Sequence, residues 1–155
     1  MADMLVKLYD LEDTRDYLNS LKEKEIILKR AIAPEKHLVV NWVSENYNQK
    51  WSNECSVAFS NQPVSCFLAI NDENIVGFAC YNTTYKGFFG PVGVLKSQRK
   101  KGIGKALVIR SLQALKEEGY AYAIIGGIGP AEFYQKVCGA EIIKNSTPGI
   151  YANML

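Results

Sequence analysis

The stretch Val94-Leu95-Lys96-Ser97-Gln98-Arg99-Lys100-Lys101-Gly102-Ile103-Gly104-Lys105-Ala106-Leu107 decides how this chain reads: an apolar approach, a basic turn with two glycines, then a helical pattern. The first N–H groups of a helix have no internal partners, and the aligned peptide dipoles add a partial positive charge there. Glycines at 102 and 104 let that backbone approach a diphosphate without Cβ contacts. Arg99, Lys100, Lys101 and Lys105 supply compensating charge around the helix start, where Ile103 offers its backbone. The reading is a pyrophosphate-binding turn. A phosphate loop of the form G-x-x-x-x-G-K-[ST] is excluded, since Arg99 occupies the first glycine position and Ala106 the hydroxyl position. A dinucleotide fingerprint starting at Gly102 fails at Leu107, and no clear acidic ribose partner follows the next strand.

The rest of the chain bounds what such a turn can serve. At 155 residues, with 48% hydrophobic and 22% charged residues, the composition is that of one domain, 1–155, with an ordinary core. The net charge of +2 is too small for general nucleic-acid or membrane binding, so neither partner is expected; the basic residues near 96–110 are a local feature. No run nears the roughly 18 apolar residues of a membrane span, and Met1-Ala2-Asp3-Met4 lacks the makings of a signal peptide. A cytoplasmic location is expected. Cys55, Cys66, Cys80 and Cys138 are widely spaced, without a C-x-x-C pair and with a single histidine in the chain. That usage predicts buried reduced thiols and no metal site.

Met4 to Tyr9 reads as extended, and a polar helical pattern runs from Asp13-Thr14 through Glu25. Ile26 to Ala31 reads as a strand, Pro34 to Asn48 as an amphipathic helix, and Ser52 to Phe59 as a shorter one. Val64–Ile70 and Ile75–Tyr81 flank the turn Asn71-Asp72-Glu73-Asn74, an antiparallel hairpin. Phe88-Phe89-Gly90-Pro91-Val92-Gly93-Val94 is a third strand whose glycines and proline predict a bulge or a splay. A helix from Gly102 to Glu118 stops at Gly119. Ala121–Ile125 is a buried strand, Pro130–Val137 a short helix, Glu141–Lys144 a strand and Gly149–Met154 a last one.

Two motifs in this order carry a resemblance. Arg99-Lys100-Lys101-Gly102-Ile103-Gly104 fits [RQ]-x-x-G-x-[GA]. Gly129-Pro130-Ala131-Glu132-Phe133-Tyr134-Gln135-Lys136-Val137-Cys138-Gly139-Ala140 is similar to A-x-x-[FL]-Y-x-[KR]-x-G-[FA], with one residue inserted before the glycine. Together they resemble the GNAT superfamily of N-acetyltransferases, from about Ile26 to Leu155. The resemblance implies an α/β (α+β) fold: a central mixed, mostly antiparallel sheet flanked by helices. Residues 1–25 fall outside it as a short strand-helix extension of the core, 26–155. It also implies acetyl-CoA as cosubstrate, a small-molecule primary amine as acceptor, direct attack in a ternary complex, and room for a homodimer.

Acetyl transfer requires bringing two molecules together, deprotonating the amine, and stabilising the oxyanion and the leaving thiolate. The interrupted strand at Val92, Gly93 and Val94 would offer unpaired backbone groups to the pantetheine arm, and an N–H near Gly93 or Val94 is the candidate oxyanion donor. By resemblance, the Tyr134 hydroxyl donates to the CoA sulfur. The resemblance also places a glutamate on the strand Phe88–Val94, but this chain has no acid there. Glu54 and His37 are therefore the side-chain candidates for the general base, beside a water chain to a backbone carbonyl. Trp51, Tyr81, Tyr85 and Phe88 are candidates to line the acceptor pocket, and Trp42 reads as core. Gly126-Gly127-Ile128-Gly129 reads as a turn that CoA could pass closely. The alternative function, prompted by the missing strand acid, is a non-catalytic acyl-CoA-binding or regulatory module.

Overall fold

The computed structural model describes residues 1–13 and 15–155; Thr14, at the expected start of the first helix, lies outside the described residues. The elements follow as β1 (Met4–Lys7), α1 (Arg15–Glu23), β2 (Ile26–Arg30), α2 (Lys36–Asn46), α3 (Gln49–Ala58), β3 (Cys66–Asn71), β4 (Asn74–Tyr81), β5 (Phe88–Val94), α4 (Ile103–Glu117), β6 (Tyr122–Ile125), α5 (Ala131–Cys138) and β7 (Glu141–Ile142). The seven strands form one sheet in the order β2-β3-β4-β5-β6-β1-β7, in which only β5 and β6 run parallel.

The hairpin β3–β4 turns on Asp72 and Glu73, at φ +51° and +64°, the two left-handed positions of a tight type I′ connection. Its strands read as nearly unbroken apolar runs because both faces of the sheet are covered. Alternation sends Cys66, Leu68, Phe78 and Cys80 into a core under α2 and α3, together with Val39, Val43 and Cys55. Phe67, Ala69, Ala79 and Tyr81 go to the opposite core, with Ile103, Leu107 and Leu112 of α4.

The segment 1–25, expected as an extension, contributes to the interior of the sheet. Strand β1 lies between β6 and β7 and pairs antiparallel with both, and Met4, Val6 and Leu8 are fully buried. The expected last strand at Gly149–Met154 is instead a 3-10 turn, Gly149–Tyr151. Two local causes act together: Pro148 has no N–H to give to a ladder, and Gly149 takes φ +59°. The sheet position beside β6 is already taken by β1. The expected helix at Ser52–Phe59 starts earlier, at Gln49, because the Asn48 side chain caps it by accepting the Trp51 N–H at 2.8 Å.

Candidate active site

Strands β5 and β6 pair only at Phe88↔Ile124 and Phe89↔Ile125, so Gly90 to Val94 diverge from β6. Gly90 sits at φ +123°, a conformation essentially closed to other residues, beside the register shift against Ala79–Tyr81. On its other edge β5 stays paired with β4, and the Leu95 N–H donates to the Val76 carbonyl at 2.9 Å. Antiparallel ladders alternate, so Gly93, opposite Phe78, turns its amide toward β4, while Val92 and Val94 turn theirs into the gap. Of the two amides expected as oxyanion donors, that of Val94 faces the gap and that of Gly93 does not.

The basic turn follows directly. Lys100 (φ +67°) and Gly102 (φ +84°) are both left-handed, and the first turn of α4 has no side-chain cap, leaving its N–H groups open. Gly104 has only Phe133 and Val94 near its missing Cβ, at 3.7 and 3.8 Å. Arg99 reaches back to donate to the Val94 carbonyl at 3.4 Å, and Lys101 donates to the Gln98 side chain at 2.8 Å. Lys24, in the turn after α1, donates to the Lys101 carbonyl. Ile103 is buried and offers only its backbone. Lys105, expected at the ligand, instead places its ammonium 4.1 Å from the centre of the Tyr17 ring.

The β5–β6 gap opens into a cavity of about 940 Å³ bounded by α3, by the segment after β4 and by the C-terminal turn. Glu54 and Tyr134 both face it. Glu54 is half-buried, and burial raises its pKa, partly offset by a hydrogen bond donated from the Thr84 hydroxyl. Tyr134 is buried between Phe133 and Phe89, and its hydroxyl is pushed up to about 12 by burial and then by Cys138. Trp51 and Phe88 line the cavity, and so does Tyr85, whose ring lies 5.6 Å from that of Phe88. Tyr81 does not. Its ring stacks on Phe67 at 6.1 Å and its hydroxyl accepts from Arg30, because strand alternation turns it into the α4-side core. His37 is exposed on α2, paired with Asn41 and away from the cavity.

Two tyrosines were missed. Tyr151 overhangs the turn after β6: a Cβ on Gly126 would lie 2.8 Å from its hydroxyl and 3.1 Å from the Phe88 ring. The absence of a side chain at Gly126 is therefore what lets Tyr151 and Phe88 approach the turn. Asp3 fixes the same turn by accepting the Gly127 N–H at 3.0 Å. Tyr47 packs against Trp51, Phe78 and Trp42, and its buried hydroxyl has no partner among the described residues. Burial raises its pKa while Arg99 lowers it, which places it at the same end of β5 as the basic turn. A Cβ on Gly93 would meet the Tyr47 ring at 2.5 Å. Gly93→Ala should thus displace Tyr47 and cost about 1–3 kcal/mol in chemical denaturation. Tyr47→Phe, which deletes an unpaired polar atom, should cost nothing.

The thiols are also arranged differently from their sequence spacing. The sulfurs of Cys55, Cys66 and Cys80 lie within 4.8 Å of one another, in the core under α2 and α3. All four cysteines are free.

A sequence profile of the acetyltransferase (GNAT) family matches residues 31–140, more than half of the chain. The chain belongs to that family. Among solved structures it is similar to the GCN5-related glucosamine N-acetyltransferase region of a fungal multi-domain GH3 β-N-acetylglucosaminidase (TM-score 0.74, 14% identity, 92% of this chain and 19% of that one). It is also similar to a GCN5-related N-acetyltransferase from Sphaerobacter thermophilus (TM-score 0.66, 16% identity, 92% and 48%). A third likeness is to a GNAT family acetyltransferase from Brucella melitensis in complex with acetyl-CoA (TM-score 0.59, 16% identity, 76% and 86%). At these identities the likeness is one of fold, and the chain spans from a fifth to a half of the length of the first two. Among curated protein sequences there is no significant match.

Proposed function

We propose that the protein transfers the acetyl group of acetyl-CoA to the primary amine of a small molecule, by direct attack with both substrates bound. One observation carries the reading: the β5–β6 gap, flanked by an uncapped helix start in a basic turn, opens into a cavity that holds both a half-buried carboxylate and a buried phenol. The Brucella protein, solved with acetyl-CoA, supports the choice of cosubstrate. The fungal region is named for an amino-sugar acceptor, a primary amine on a small ring.

The diphosphate would rest on the open N–H groups of α4, with Arg99 and Lys100 beside it. The pantetheine arm would bond the outward amides of Val92 and Val94 as a substitute strand, and the Val94 N–H would meet the developing oxyanion. Glu54 takes one proton from the acceptor ammonium and passes it to water. The amine lone pair then forms the C–N bond as the C–S bond breaks, and the second nitrogen proton ends on the released thiol. A raised carboxyl pKa suits Glu54 as a base. Activity should therefore fall with acidity at a pH above the ordinary carboxylate range. Tyr134, at about 12, lies well above a free thiol at about 8.5, so it donates a hydrogen bond to the thiolate and keeps its own proton. The non-catalytic alternative rested on the strand without an acid; Glu54, entering the cavity from α3, supplies one.

The test is calorimetric titration with acetyl-CoA of the wild type and of Gly102→Leu/Gly104→Leu. Micromolar affinity weakened at least tenfold in the variant is the expected result, with circular dichroism checking that the variant, strained by a side chain at the left-handed Gly102, is still folded at the titration temperature. No binding by the wild type would overturn the reading.

A further inference from the structure

The cavity carries more than a general acceptor site. Among the described residues, one acidic side chain lines it, Glu54, and one cationic side chain, Lys50. Trp51 and Glu54 are three residues apart on α3, hence on one face of that helix. Tyr85 and Phe88 approach from the segment after β4, and Tyr151 from the C-terminal turn. Burial raises the pKa of Tyr151, and the charges of Glu54 and then Asp3 raise it further; of these two carboxylates Glu54 lines the cavity, while Asp3 accepts the Gly127 N–H behind it.

We infer, resting on the acyl-transfer reading above, that the acceptor is a primary monoamine carried on an apolar aromatic body, an arylalkylamine. Its ammonium is held at Glu54, and its ring lies among Trp51, Tyr85, Phe88 and Tyr151.

Charge sets the number of amines. A single carboxylate can pair one ammonium, and a second ammonium in the cavity would lose its water without an anion in return. Polyamines and aminoglycosides are thereby disfavoured. Aromatic walls set the body. Rings bury large apolar areas, stack offset or edge-on with another ring, and attract a cation to their faces. An amino sugar has the right charge but brings several hydroxyl groups, each needing a partner once out of water. Beyond the tyrosine hydroxyls, the neutral polar side chains lining the cavity are Asn53, Thr84 and Thr147, and the Thr84 hydroxyl already donates to Glu54, so few partners are left for a ring of hydroxyl groups.

The test sets 2-phenylethylamine against spermidine and glucosamine in two readouts: acetyl-CoA-dependent thiol release, and calorimetric binding of each amine to the CoA-loaded protein. The expected result is a kcat/KM for 2-phenylethylamine at least tenfold above both competitors. Its binding should weaken about tenfold in Glu54→Gln, and also in Trp51→Leu, which leaves the carboxylate in place. Turnover of glucosamine or spermidine equal to or better than that of 2-phenylethylamine would overturn the acceptor class and leave acetyl transfer standing. Glu54-dependent binding of 2-phenylethylamine with no turnover of any amine would keep the class and overturn acetyl transfer. Absence of both binding and turnover of 2-phenylethylamine would overturn the proposal.

Discussion

Tyr134→Phe should lower kcat about 100-fold while leaving acetyl-CoA affinity nearly unchanged, the size of effect seen when a single hydrogen bond made chiefly in the transition state is removed. Tyr134 is buried at the cavity wall between Phe89 and Phe133, so the phenylalanine ring keeps every aromatic contact and deletes only the hydroxyl. The hydroxyl is pushed up to about 12, so the wild-type pH profile should show no limb from Tyr134 below about pH 10. The acid limb, set by Glu54, should survive in Tyr134→Phe and disappear in Glu54→Gln. Steady-state kinetics from pH 5 to 10 with calorimetric affinities checks each point. Unchanged turnover in Tyr134→Phe would remove this hydroxyl from the mechanism.

Val6→Asp should leave the chain unfolded at 25 °C. Val6 is fully buried in β1, opposite Ala123 of β6, and joins the core that includes Leu107, Leu112 and Leu115. A carboxylate there would have neither water nor a counter-ion, a cost of at least about 4 kcal/mol against a typical total stability of about 5–15. Lys7→Ala, one residue on, removes only an exposed 3.5 Å ion pair with Glu141 and should change stability by less than about 1 kcal/mol. Circular dichroism and denaturant melts of the two variants separate a structural strand from an appendage. A folded, active Val6→Asp would mean that β1 is dispensable.

That strand marks the limit of what could be read along the chain. Local patterning located β1 as extended but carried no sign of its partners, because β6 and β7 come from the other end of the sequence. The hairpin β3–β4, the splay of β5 and the basic turn into α4 were legible, since turn chemistry and glycine placement act over a few residues. Tyr81 and Tyr85 looked alike as pocket residues, and only the register that buries Tyr81 against Phe67 and Arg30 separates them. With no acid on β5 the sequence offered Glu54 and His37 side by side, and only the packing of α3 and α2 separates them, by putting Glu54 in the cavity lining and His37 outside it. Tyr151 had one usable signal, Pro148-Gly149 just before it, which marks a turn rather than a strand. The orphaned Tyr47 hydroxyl had none, as its isolation depends on three rings from separate parts of the chain.

The thiol arrangement has a practical consequence. Cys55, Cys66 and Cys80 have no exposed surface, whereas Cys138 is partly exposed at the end of α5. A thiol reagent therefore meets one group directly and the other three only when the face covered by α2 and α3 opens. The chain carries its own clock for that event: the lag between the first sulfur labelled and the next three measures how often half of the core comes apart while the rest of the molecule stands.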